Sequence, residues 1–456
     1  MEAINAMLEK IAGLVWNYPL IILLAGTGIL LTIYLQGVQF KYLKHIWHIL
    51  RGKFDNPNDP GEITHFQALC TALSATVGLG NIAGVAVAIK LGGPGAVFWM
   101  ILIGLLGMAT KFAEASLALM YRKIDSNGEV HGGPMYYITL GLGSKFKFLA
   151  QFFAVACIFA TFGAGNMFQS NSVAQLLATN FQTPPLWTGI ILSLLVGVVI
   201  LGGIKRIGSI SSKLLPFMGG IYIIASLFVI ITHFDALPSL IATIFHDAFN
   251  GTAMAGGITG IALRTVIVQG IRRACFSNEA GLGSAAIAHS AASTNEPIRE
   301  GLVASIGPFI DTVVICTMTA LVILISGVWV NTDLSGVALT AKAFDSTIQG
   351  FGLYFMPVAV SLFAYSTLLS WSYYGERSLD FLFKGKGIFV YRLFYIAAVF
   401  LGAIWKLMPI LNFSDIMLGL MVVPNLIAVL LLLPKIKTAS VKYFNSLKNG
   451  EFKTYS

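Results

Sequence analysis

The chain has 456 residues, 56% of them hydrophobic and only 11% charged, against about 25% charge in an average soluble domain. Polar groups this scarce cannot cover a water-soluble surface, and a mean hydropathy of +0.80 agrees. The composition describes a polytopic membrane protein and excludes a secreted disulfide scaffold, a disordered chain and a soluble nucleic-acid binder. The net charge of +9, from 29 Lys and Arg against 20 Asp and Glu, then reads as a mark of cytoplasmic loops.

The first ten residues, Met1 to Lys10, carry acids where a signal peptide wants a basic segment. The apolar run from Tyr18 to Val38 is long enough to span a membrane, which argues against a cleaved leader. A hydrocarbon core of about 30 Å needs roughly 20 apolar residues per helix. On that ruler, spans are expected at 18–39, 65–90, 96–121, 147–179, 186–203 and 214–232, then at 257–290, 301–328, 353–383, 389–405 and 413–433. Segments 238–250 and 335–350 read as short helices on the outer surface. The four cysteines, Cys70, Cys157, Cys275 and Cys316, lie far apart in apolar context and read as small buried hydrophobes, not as ligands or disulfides. The seven histidines show no metal spacing, and His45, His48, His65 and His131 fall in inner loops or at helix edges.

The span at 257–290 is weak by hydropathy, and charge decides it. With eleven spans and the N-terminus outside, the inner loops collect 21 of the 29 cations, among them Lys41, Lys44, Arg51, Arg122, Lys123, Lys205, Arg206, Arg377, Lys384 and the lysines of the tail. Without the weak span the second half inverts and the basic tail falls outside, so the positive-inside rule favours an N-terminus outside and a cytoplasmic C-terminus.

Two spans are interrupted alike: Thr76-Val77-Gly78-Leu79-Gly80-Asn81-Ile82-Ala83-Gly84 in the second and Glu279-Ala280-Gly281-Leu282-Gly283-Ser284-Ala285 in the seventh. Each opens a set of five spans, and because five is odd the second set lies upside down relative to the first. The fold class is therefore an all-α polytopic membrane protein with one N-terminal helix plus a 5+5 inverted repeat with two broken helices. Residues 1–60 hold the extra helix and a cytoplasmic loop, 61–235 the first repeat, 236–434 the outer short helix and second repeat, and 435–456 a basic tail. Unwound backbone at the bilayer midplane frees groups that lipid cannot satisfy. Half-helix N-termini suit a carboxylate, and freed carbonyls suit a small hard cation. A lone Gly-x-Gly is more simply explained by close helix packing; two copies at matching positions point to an ion-coupled carrier.

Seven stretches resemble the alanine or glycine:cation symporter family, also called sodium:alanine symporters: Thr76–Ala83 (TVGLGNIA), Gly92–Met100 (GGPGAVFWM), Met108–Ala115 (MATKFAEA), Gly132–Tyr137 (GGPMYY), Phe276–Ser284 (FSNEAGLGS), Pro308–Thr312 (PFIDT) and Trp371–Arg377 (WSYYGER). They follow the family's order from about residue 60 to 430. FSNEAGLGS is highly specific, whereas each of the others is weak alone. Ile101 stands where the family usually has a second Trp, and Gly104 where a slightly larger residue is common. The resemblance implies a leucine-transporter-like fold and sodium-driven uptake of a small neutral amino acid across the cell membrane, with the sodium ion as coupling ion and no other cofactor. It implies as partners the amino acid, sodium and the bilayer, a single chain as the transport unit, no nucleic acid and no enzymatic activity. Proton coupling and a glutamine-type substrate are the alternatives within transport; a membrane enzyme would need a convergent acid–base or metal constellation, and none is visible.

Thr76, Gly78 and Gly80 are expected to face substrate in the first break, with Asn81 either touching it or orienting the loop. Phe276, Ser277, Asn278 and Gly281 are their counterparts in the second. Glu279 is a functional candidate by depth, and pairing with Arg272 or Arg273 is the favoured role. Arg264, Arg272 and Arg273 sit on the outward half of that helix, as part of a vestibule or gate. Asn166 and Gln169 are three apart on one helical face; their amides answer both ends of a zwitterion or join two helices. Trp371 either walls the pocket against larger side chains or is an ordinary packed aromatic. Ser366 and Thr367, with the carbonyls of Ala75 and Gly78, would complete a sodium site in the fold class the chain resembles. Lys111 and Glu114, also three apart, are expected to neutralise each other, and Asp311 to cap or pair near the inner end of the eighth span.

Overall fold

The computed structural model describes residues 2–251, 262–330 and 332–455. The described chain is almost wholly helical, with one short hairpin pairing Lys123–Ile124 and Val130–His131. Among the described residues, six helices are long and apolar enough to cross a membrane: Gly95–Met120, Ser144–Phe181, Gly203–Thr232, Pro297–Ser326, Phe351–Phe383 and Met408–Lys448. The bent pairs Asn5–Val15 with Tyr18–Tyr34 and His65–Thr76 with Gly80–Gly92 raise the number to as many as eight, and Pro185–Ile200 and Ile388–Ile404 are shorter apolar helices. On Pro185–Ile200 the exposed residues Trp187, Ile191, Leu194 and Val198 recur at helical spacing, an apolar row suited to lipid.

The two interrupted helices stand where the glycine motifs lie. The first bends by 48° between His65–Thr76 and Gly80–Gly92. In the second, Leu263–Asn278 gives way to Ser284–His289; positions 257–261 of the expected span lie outside the described residues. Four helical stretches follow each broken one in chain order, and the extra N-terminal helix packs across Gly95–Met120. The surface segments appear as Leu237–Asn250 and Gly336–Thr347. The second lies against the first break, where Thr340 donates to the Ile82 carbonyl at 3.1 Å.

The last helix, Leu407–Lys448, outruns the expected 413–433. Its basic extension buries one face: Tyr443 hydrogen-bonds His45 at 2.7 Å and Phe444 stacks on Tyr42 with ring centroids 4.0 Å apart. Burial among these rings pushes the His45 imidazole down to about 4, because an apolar setting penalises its charged form. At the ends of the two broken helices, Ser293 N–H donates to the Ile63 carbonyl at 2.8 Å. Arg122 gathers the carbonyls of Pro60, Ser290, Ala292 and Thr294. One guanidinium thus ties the approach to the first broken helix to the exit from the second.

Candidate functional site

The first broken helix starts on a capping box, Thr64 with Gln67, and stops after Thr76, where the chain unwinds through Val77 and re-enters as a π-helical turn, Gly80–Gly84. Asn81 holds this loop. Its Oδ1 accepts the Gly78 N–H at 2.8 Å, and its Nδ2 donates to the Asp311 carboxylate at 2.8 Å and carbonyl at 3.0 Å. These are the bonds that the orienting alternative expects.

The second break turns on left-handed backbone at Glu279 (φ +57°), Gly281 (+91°) and Gly283 (+79°). A side chain at Gly281 would begin 2.5 Å from Leu24, and one at Gly283 2.6 Å from Pro134. At Glu279 this conformation costs about 1–3 kcal/mol, and it redirects the side chain. The carboxylate accepts the Trp371 indole N–H at 3.0 Å and the Ser284 hydroxyl. The expected pairing with Arg272 or Arg273 is therefore corrected: both arginines pair with Asp415, Arg273 at 3.2 Å.

Between the breaks lies a small cavity, offering about 20 Å³ to the centres of water-sized molecules. It brings together Ala75, Thr76, Gly78, Gly80, Gln169, Phe276 and Trp371, all singled out from the sequence. Leu79, Ala164, Glu279 and Leu418 complete the wall. Gln169 donates its amide N–H to the Ala164 carbonyl at 2.9 Å, while its buried Oε1 has no partner among the described residues. That leaves an acceptor available for an ammonium. Trp371 is 2% exposed and lies so close to Gly165 that a Cβ there would come within 2.3 Å of the indole.

Beside the cavity, Thr367 Oγ1 lies 3.0 Å from the Ser74 carbonyl and 3.5 Å from that of Ala75. Ser366 Oγ lies 3.2 Å from the Ser74 carbonyl. A Cβ on Gly78 would meet Thr367 Oγ1 at 2.4 Å, so the absence of a side chain allows this approach. Carbonyl and hydroxyl oxygens converge here, the donor set a hard cation takes. The Ser74 carbonyl escaped the sequence reading because a backbone donor leaves no residue-type signature.

Four of the expected substrate residues stand outside the cavity wall. Asn166 lies in the π-helical turn Gly163–Met167, whose wider winding changes the angle that a spacing of three assumes, and of the two amides Gln169 lines the cavity. Asn166 donates to the Tyr395 carbonyl at 2.8 Å, joining two helices. Ser277 donates to Asp311 at 2.9 Å, and Asn278 to Thr312 at 3.0 Å. Gly281 N–H donates to Glu114 at 3.0 Å, and its carbonyl accepts from Asn425 at 2.8 Å. Gly104 packs against Thr312, whose side chain would lie 3.1 Å from a Cβ at that position, which gives the departure there a place beside the second break.

Two expectations about charges are corrected. Lys111 and Glu114 form no ion pair with each other: Glu114 turns to Gly281 and Asn425, and Lys111 Nζ is buried without a partner among the described residues. Asp311 lies within the π-helical stretch Phe309–Cys316 of the span Pro297–Ser326, not near an inner end. It receives Asn81, Ser277 and Thr312 and so links the two breaks. Its signal in the sequence was an acid at membrane depth. Arg264 lies over the Tyr18 ring, 4.7 Å from its centroid.

A family model described as sodium:alanine symporter family matches residues 1–456. The sodium/alanine symporter AgcS of Methanococcus maripaludis is 44% identical, covering 98% of this chain and 99% of its own. The probable sodium/glutamine symporter GlnT of Bacillus subtilis is 39% identical over 98% and 92%. Among solved structures, MhsT in complex with L-phenylalanine matches with a TM-score of 0.51 at 15% identity, over 84% of this chain and 99% of that one. A manganese transporter of Eremococcus coleocola also gives 0.51 at 15% identity, over 84% and 82%. These likenesses show a shared transporter fold of the leucine-transporter type.

Proposed function

The chain belongs to the sodium:alanine symporter family, a multi-pass membrane protein and cation-coupled amino-acid symporter, and from that premise we propose that it takes up alanine or glycine with sodium by alternating access. The observation that carries this reading is that the cavity between the breaks sets unwound backbone and the open Gln169 Oε1 beside converging carbonyl and hydroxyl oxygens. The absence of a side chain at Gly165 lets Trp371 close over this cavity, and in this reading its indole limits the solute to a small side chain. The substrate carboxylate takes backbone N–H groups at the first break, around Gly80, and its ammonium takes the open Oε1 of Gln169.

Sodium takes the carbonyls of Ser74 and Ala75 with the hydroxyls of Ser366 and Thr367, Gly78 closing the group. The Arg272 and Arg273 pairing with Asp415 is the outer closure of the path. The membrane topology has eleven spans, with the N-terminus outside and the basic tail in the cytoplasm. A thermal-shift series tests the assignment, since a ligand stabilises the state it binds. Alanine and glycine should raise Tm in sodium and not in potassium, while glutamine leaves it unchanged. Stabilisation by glutamine, or by alanine in potassium alone, overturns the reading.

A further inference from the structure

The N-terminal helical pair stands outside the two sets of five, yet its bend reaches the outer closure. Helix Glu2–Val15 packs along the last helix, Leu407–Lys448, and bends by 43° into Tyr18–Tyr34. Trp16 stands at the bend and is 3% exposed. Its indole N–H donates to the backbone carbonyl of Asp415 at 2.8 Å. Its ring lies against the Arg272 guanidinium, with the centroid 5.9 Å away. One side chain thus touches both sides of the closure, the arginine on the second broken helix and the acid on the last helix.

Asp415 is 1% exposed. Its Oδ2 takes Arg272 and Arg273, and its Oδ1 has no hydrogen-bond partner among the described residues. Only the arginines hold this carboxylate, so its position depends on the backbone that carries it, and Trp16 grips that backbone. The same turn carries a wall of the substrate cavity. Leu418, three residues on and 1% exposed, lines the space between the breaks. Gly419 seats the N-terminal helix: a Cβ there would overlap Val15 Cγ1 and stand 3.2 Å from Trp16 Nε1. Across the closure, Arg273 lies over the Phe276 ring at 5.7 Å, and Phe276 lines the same cavity. A shift of the 415–419 turn therefore moves the closure and the cavity wall together.

We propose that Trp16 is a positioning residue for transport: it clamps the Asp415 turn to the second broken helix and so sets how firmly the outer path closes over the bound amino acid. The inference rests on the symporter reading of the cavity, with Arg272, Arg273 and Asp415 as its outer closure. The indole supplies two separable contacts. Its N–H satisfies a buried carbonyl that would otherwise be left unpaired, and its face attracts a guanidinium. When the arginines part from Asp415, the N–H bond keeps the turn in place, so that the carboxylate meets them again on closing.

The test uses the full chain, purified in sodium and loaded with labelled alanine, which is then chased with unlabelled alanine. Trp16→Phe keeps a ring and loses the N–H. It should release label about fivefold faster, the order that one hydrogen bond supports, with the sodium dependence of binding unchanged. In proteoliposomes its KM for alanine should rise by more than its maximal rate falls. Asp415→Asn already loosens the closure, so Trp16→Phe in that background should add less than twofold. Gly419→Ala presses on Val15 and keeps the test informative if the Phe variant fails to fold; it should also speed release severalfold. Release at the unaltered rate in Trp16→Phe or in Gly419→Ala, or the full fivefold gain on top of Asp415→Asn, overturns the clamp alone. Failure of the unaltered protein to bind labelled alanine in sodium overturns the symporter reading instead.

Discussion

In the proposed reading, Gly165 and Trp371 set how large a solute the pocket admits. Because a Cβ at Gly165 would stand 2.3 Å from the indole, Gly165→Ala must push Trp371 away from Glu279 or into the cavity. Such overpacking costs about 1–3 kcal/mol, and labelled alanine uptake should fall at least tenfold; uptake at the normal level would show that Trp371 does not wall the site. Gln169 offers a second test at this scale. Replacing it with Leu removes the open Oε1 without adding bulk, so alanine affinity should drop by about tenfold, the worth of one charge-assisted hydrogen bond, while sodium binding is kept. Isothermal titration with each ligand separates the two effects.

Among the elements, the two breaks are joined through Asp311, which receives Asn81 from one and Ser277 from the other. Asn81→Ala removes a donor from a fully buried carboxylate and should cost about 1–3 kcal/mol of stability, read as a lower midpoint in thermal unfolding. The breaks themselves were legible, because glycine at matching positions in two apolar spans is a composition signal. Their wiring was not, since Asn81, Asp311 and Thr312 meet only once three helices pack. The amide pair was misplaced for a local reason: a π-helical turn at Gly163–Met167 changes the register that a spacing of three assumes. The hairpin gives a pH test. His131 hydrogen-bonds Asp380 at 2.6 Å, and that bond raises its pKa above the ordinary 6.5. The contribution is fully present below about 6.5 and is lost as pH rises through the raised value. The Tm difference between the unaltered protein and His131→Gln should therefore shrink as pH rises from 6 to 9; a constant difference would contradict it.

For the whole molecule, composition and charge announced a membrane protein, and the repeated glycine breaks pointed to an ion-coupled carrier. Charge partners were harder to read, because helices distant in sequence supply them: Asp415 takes the arginines assigned to Glu279, and Trp371 and Ser284 take Glu279. The central claim is that two inverted halves hold sodium and a small amino acid together between their breaks, so that neither crosses alone. The measurement that bears on it most directly is uptake of labelled alanine into proteoliposomes under an inward sodium gradient, against the same vesicles with sodium replaced by potassium. Uptake should rise above equilibrium with sodium and collapse with potassium. Equal uptake in the two salts would contradict the account.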